Sequence, residues 1–307
     1  MNTTTIDEVA GWTTRPGARV FSGHESFACR YGWLPKLHEA ITADPTIFSS
    51  DERAILALGL GRNMVKSIRF WGEAFGLTHG VNGEVRPTEF ARQLLDQDGG
   101  LDRYLETSGS LWRLHWMLAT HGGLGAWAAV FLDLHDPEVG RDRLVTAVRA
   151  RAAQVRGPIT LQTASTHVDM LIRTYAPAQE PDAVAEDALG SPFQELRLLR
   201  MVSPAGIPTI RLSRGPKPSL DPAALAFVLH DFWRGTAPGS RTLSMRSLML
   251  SHGAPGSTLL LDETGMHESL DALCLLSKRL TLRADGAGGY DLTSSGSPIH
   301  ELQEMAW

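Results

Sequence analysis

Two groups of side chains in this 307-residue sequence have types and spacing suited to chemistry. The first is His24-Glu25 with Arg30, inside the run Phe21-Ser22-Gly23-His24-Glu25-Ser26-Phe27-Ala28-Cys29-Arg30-Tyr31-Gly32-Trp33. An imidazole can act as a general base or bind a metal, a carboxylate can hold a divalent cation, and a guanidinium can clamp a phosphate. Hydrolysis of a phosphodiester needs such groups. His24, Glu25 and Arg30 are therefore candidate catalytic residues, with Glu25 a candidate ligand for magnesium or manganese. The same residues also admit a structural reading, in which His24 and Glu25 hydrogen-bond the backbone of a neighbouring element.

The second group is Arg62, Asn63, Lys66 and Arg69, which recur at helical steps within Gly61 to Leu77. Val65, Ile68, Phe75 and Leu77, with Trp71 close by, recur at the same steps on another face, so one side of the helix suits a core and the other suits phosphate. Arg53 could add a backbone contact. A further basic island runs from Arg197 to Lys217 without an acid, and Arg214 and Lys217 within it are candidate DNA contacts.

These residues need elements to position them. Ser49-Ser50-Asp51-Glu52 caps a short helix, Gly59 and Gly61 supply a turn, and the helix bearing Lys66 follows. After it, Asn82-Gly83 sits between two short segments and favours a type I′ hairpin. The order helix, turn, helix, hairpin is that of a winged helix-turn-helix. The expected fold is mainly α with small β-hairpins (α+β). It comprises a lead-in at 1–20, an N-terminal winged-helix domain at 21–98, a helical middle at 99–178, a linker at 179–192 and a C-terminal winged-helix-like domain at 193–307. Thr160 to Tyr175 faintly repeats the logic of the basic helix. In the last domain, 243–251 reads as a helix, 259–261 as a strand, and the strands at 280–283 and 290–292 flank a glycine-rich loop that suits a second wing.

Composition excludes several classes. The net charge is -5 with 43% hydrophobic residues, and no apolar run approaches the ~18 residues of a membrane span. The start of the chain lacks a secretory pattern, so a cytoplasmic location is expected. Cys29 and Cys274 are too few and too far apart for a disulfide framework or a thiolate zinc site. The eleven histidines form no two-histidine helix face, and no phosphate loop, dinucleotide fingerprint or serine elbow is present, so neither zinc nor a nucleotide cofactor is expected.

The run Phe21 to Leu34, the segment Leu58 to Trp71, Pro87-Thr88-Glu89-Phe90, Leu111-Trp112, Leu114-His115-Trp116, Arg173-Thr174-Tyr175 and Arg214-Gly215-Pro216-Lys217-Pro218-Ser219 together resemble the SspB-like family. This is a bacterial domain of unknown function linked to DNA phosphorothioation and phage defence. The resemblance implies a nickase that cuts one strand of duplex DNA so that sulfur can replace a non-bridging phosphate oxygen. It also implies a cysteine desulfurase, an ATP-dependent sulfur-transfer enzyme and an ATPase as partners, besides DNA; a homodimer is compatible with the sequence. No PD-x-D/E-x-K or H-N-H nuclease pattern is evident, which keeps open a non-catalytic winged-helix protein that recruits sulfur-transfer or restriction partners to DNA.

Overall fold

A computed structural model describes residues 19–177, 190–286 and 289–307. The expected lead-in and linker lie almost wholly outside the described residues.

The first unit contains helices α1 (Trp33–Ala43), α2 (Asp51–Leu58) and α3 (Arg62–Ala74), followed by a hairpin of β1 (Thr78–Val81) and β2 (Glu84–Pro87). Ser50 caps α2 by accepting the Arg53 N–H, and Gly59 ends it in the left-handed conformation, satisfying the Ile55 carbonyl. The hairpin turns through Asn82 and Gly83, with φ of 51° and 85°, the two positive values a type I′ turn requires. Between α1 and α2, the Pro45 carbonyl accepts the Val85 N–H of β2 at 2.9 Å. This single backbone bond ties the α1–α2 turn to the hairpin.

Helices α4 (Glu89–Leu95) and α5 (Ser108–Thr120) lead to α6 (Gly125–Ala128), which continues as a wider π turn to Asp133. The helical middle also contains a strand, β3 (Glu138–Gly140), followed by α7 (Arg141–Val155) and α8 (Leu161–Tyr175). β3 pairs with β5 (Thr209–Leu212), which pairs with β4 (Leu199–Val202), all antiparallel. One sheet thus joins residues on both sides of 178–189.

Beyond it come α9 (Pro222–Thr236), β6 (Thr242–Ser244), α10 (Met245–Leu250), α11 (Pro255–Thr258), α12 (Glu263–Leu276), β7 (Leu280–Ala284), β8 (Tyr290–Ser294) and α13 (Pro298–Ala306). The sheet order is β6-β8-β7. Two local expectations change here. The start of 243–251 is strand β6, because Leu243 pairs with Leu292 and faces the core. Residues 259–261 form a turn: Leu260 has φ of 53°, and the Leu261 N–H folds back onto the Gly256 carbonyl.

The interior is unusually aromatic. Trp71, Trp112, Trp116, Trp127 and Trp233 are all fully buried. A hydrogen-bonded chain crosses the core: Trp127 Nε1 donates to Tyr175 Oη at 3.3 Å, Tyr175 donates to His115 Nδ1 at 2.8 Å, and His115 Nε2 donates to the Thr258 carbonyl at 2.8 Å. Each group is satisfied in one direction only, which ties α5, α6, α8 and α11 into one register. Burial holds His115 neutral, pushing its pKa down to about 4.

Candidate nucleic-acid interface

Helix α3 divides as its spacing predicts. Val65, Ile68, Trp71 and Ala74 are buried, with Phe75 and Leu77 beyond the helix end, while Arg62, Asn63, Lys66 and Arg69 are exposed. Arg62 meets Asp51 at 3.4 Å, a solvent-exposed pair that costs little to exchange for another anion. The Arg69 guanidinium lies over the Phe48 ring, 5.2 Å from its centroid, which restricts the side chain without neutralising it. Lys66 and Asn63 have no hydrogen-bonding or ionic side-chain partner among the described residues. Arg53 is less available: it pairs with Asp44 at 2.6 Å.

The hairpin adds Arg86 and His79 to the same unit. Arg86 is held by Glu84 at 2.6 Å. Burial, then the neighbouring Arg92 and Arg86 charges, lower the His79 pKa.

The His24 cluster is positioned quite differently. Gly23 has φ of 117°, and a Cβ there would stand 2.9 Å from the Phe70 ring, so a glycine is required on both counts. His24 is 3% exposed. Its Nδ1 accepts the Ser26 N–H at 3.2 Å, so the ring proton sits on Nε2, 3.4 Å from His167 Nδ1 on α8. The rings lie within 13° of parallel with centroids 5.5 Å apart. Since the N···N line accounts for most of that separation, this is a long edge-on N–H···N contact rather than a face stack. Phe70, Phe21 and Trp127 surround the pair. Burial pushes the pKa of His24 down to about 4 and, with His24 as neighbour, that of His167 to about 3.

The run Phe21 to Phe27 is thus a strap across the back of α3. The Phe27 carbonyl accepts Trp71 Nε1–H at 2.9 Å and the Ser67 hydroxyl at 3.5 Å. Glu25 and Arg30 do not join His24 in its aromatic box. Glu25 is exposed with φ of 46°, and the Arg30 guanidinium lies 5.5 Å and 5.7 Å from the Phe27 and Trp33 ring centroids. No group of three or more His, Cys, Asp or Glu among the described residues could hold a metal ion. Around Glu25 the protein offers a lone carboxylate and a neutral imidazole whose two nitrogens are engaged, a poor match to the oxygen-rich shell that magnesium prefers. Cys29, fully buried, has its thiol pKa raised by burial.

Arg214 and Lys217 reach inward. Arg214 Nη2 donates to the Leu134 carbonyl at 3.2 Å, and Lys217 Nζ donates to the Ser213 carbonyl. Burial lowers both pKa values, that of Lys217 to about 8, with Asp262 opposing the shift and Arg214 adding to it. The loop they bracket packs on the start of α12, where a Cβ at Gly265 would stand 2.7 Å from Pro216 Cα.

The profile of the family described as protein of unknown function (DUF4007) matches residues 21–305. The chain belongs to the DUF4007 family. Two solved structures resemble it, described as an SspB crystal structure and a magnesium ion-bound SspB crystal structure. Each has 29% sequence identity and a TM-score of 0.82, over 92% of this chain and 85% of that chain. A search of curated proteins finds no match. The match to this DUF4007 chain covers the strap, α3, the hairpin and the loop at Arg214. Among the described residues no helix is long and apolar enough to cross a membrane.

Proposed function

We propose that the chain is the DNA-targeting component of a phosphorothioate-modification system, and that its first unit is a winged helix with α3 as reading helix and the β1–β2 hairpin as wing. The observation that carries this reading is the outward row Arg62, Asn63, Lys66 and Arg69 on a helix followed directly by a type I′ hairpin. In such modules the N-terminal part of the second helix approaches base edges while neighbouring cations hold phosphates. Asn63 is the candidate base contact, and Lys66, Arg69 and Arg62 are the phosphate contacts. The likeness to SspB supports the link to sulfur modification, with a cysteine desulfurase, an ATP-dependent sulfur-transfer enzyme and an ATPase as the partners it would bring to DNA.

A second reading, strand nicking by this chain, draws on its likeness to a magnesium-bound SspB. In the present arrangement His24 is a neutral strut with both nitrogens engaged, so nicking by this chain would have to use other groups or a rearranged strap. Supercoiled plasmid incubated with the protein and magnesium separates the two. Open-circular product that survives His24→Gln supports nicking without His24. Retained gel-shift binding with no open-circular product leaves the targeting reading alone.

A further inference from the structure

The order of elements in the first unit occurs twice more. In each case a helix is followed by a segment that bonds the later hairpin, one or two helices, a further helix and an antiparallel hairpin. The segments are α1, Pro45, α2, α3 and β1–β2; then α6, β3, α7, α8 and β4–β5; then α9, β6, α10 with α11, α12 and β7–β8. The segment preceding the second helix bonds the last strand of the hairpin each time: the Pro45 carbonyl to β2, strand β3 to β5, strand β6 to β8. Agreement in order and in strand pairing makes α8 and α12 the positional equivalents of α3.

Position does not decide what these helices meet, but surface charge separates them. Helix α12 exposes Glu263, Glu268 and Asp271, together with Leu275 and Leu276, a face that a phosphate backbone would repel. On α8, Gln162, Thr166, Asp169 and Arg173 follow one another at the steps that separate Arg62, Lys66, Arg69 and Glu73 on α3. Gln162 donates to Thr166 Oγ1 at 3.3 Å, and Thr160 caps the helix.

Among the described residues of the second unit, Glu195 accepts from the Tyr31 hydroxyl and the other acids meet neighbouring arginines. Arg141 binds Asp169 through two bonds of 2.9 Å and also meets Asp142 at 3.6 Å. Arg143 meets Asp136 at 3.4 Å, Arg151 pairs with Asp133, and Arg211 meets Glu138 at 2.6 Å. That leaves Arg149 on α7, Arg156 in the turn before α8, Arg173 at its end, Arg197 before β4 and Arg200 on β4, all exposed and with no ion pair among the described residues. On the exposed face of the sheet, Glu138, Arg211 and Arg200 stand in one row, and Arg211 takes the only acid in that row.

We propose that the second unit is a second duplex-DNA contact surface, with Gln162 and Thr166 on the groove side of α8 and Arg149, Arg156, Arg173 and Arg200 on flanking phosphates. The proposal rests on the reading of the chain as a DNA binder. It also gives the buried histidines a purpose. His24 belongs to the strap behind α3 and His167 to α8, so their contact links the inner faces of the two reading helices.

Equilibrium binding of the full chain to a labelled duplex, measured across a salt series with a hydroxyl-radical footprint, tests the proposal. Each lost phosphate contact lowers the slope of log affinity against log salt by ~0.9. Arg156→Ala with Arg200→Ala is expected to lower the slope by about 1.8, so that a fourfold rise in salt costs the variant about tenfold less affinity, and to erase one of two protected segments. Both side chains are exposed and have no ion pair among the described residues, and an unchanged thermal melt verifies folding. A slope and footprint equal to the parent, with Lys66→Ala and Arg69→Ala still lowering the slope, would overturn the second surface while leaving α3 as the reader. The converse pattern would remove α3 and keep the second surface. A parent protein that binds no duplex would overturn both.

Discussion

The neutral histidines of the interior make the fold sensitive to mild acid in a way that can be computed residue by residue. His24, His115 and His167 each have a folded-state pKa far below their ordinary value of 6.5, at about 4, about 4 and about 3. A group of this kind costs nothing above pH 6.5, where folded and unfolded chains are both neutral. As pH falls below 6.5 the unfolded chain takes up the proton and the folded chain does not, so stability drains away until the folded value is reached. Each histidine then contributes about 1.4 kcal/mol per pH unit, and three together about 4 kcal/mol per pH unit, a large fraction of a typical domain's total. Urea unfolding followed by tryptophan fluorescence, repeated between about pH 7 and about pH 5, reads that slope directly. His24→Gln cannot titrate in this range, so its slope should be shallower than the parent's by about 1.4 kcal/mol per pH unit, whatever the substitution does to absolute stability. A slope unchanged in His24→Gln would refute the buried neutral pair, because it would mean that His24 is hydrated or charged in the folded protein.

Three further outcomes follow from packing and turn geometry. Trp71→Ala removes a fully buried indole and leaves the Phe27 carbonyl with only the longer bond from Ser67; it should cost about 3–5 kcal/mol, visible as a loss of urea midpoint. Gly83→Val places a β-branched residue at φ of 85° and should cost about 1–2 kcal/mol. That substitution should also weaken duplex binding by disordering the hairpin, measured by thermal melt and anisotropy. His115→Leu strands the Tyr175 hydroxyl and the Thr258 carbonyl in the core and should cost about 1–3 kcal/mol, measured by urea unfolding.

Much of the first unit was legible because its signals are local. The Ser50 cap, the Gly59 turn, the alternation of Val65 and Ile68 with Lys66 and Arg69, and the Asn82-Gly83 turn each depend on a few neighbouring residues. The role of His24 was not legible, since its partner His167 lies 143 positions away and nothing in either neighbourhood signals a pairing. Arg30 shared that obscurity, its cation being spent on the rings of Phe27 and Trp33. Strand β3 escaped notice because three residues carry no periodicity and its pairing strand lies beyond residue 200. The unpaired arginines of the second unit could not be picked out either. A sequence shows ten acids and many arginines between Asp133 and Arg211, but only the fold shows which arginines Asp169, Asp133 and Glu138 occupy.

Photo-crosslinking from a defined position tests the central claim most directly. In a chain with Cys274→Ser, whose other cysteine is buried, Asn63→Cys carries a photoactivatable group at the start of α3, and Leu275→Cys carries it on α12. The account predicts a duplex-DNA adduct from position 63 and none from position 275. No adduct from position 63, with the labelled protein still bound to the duplex, would contradict it.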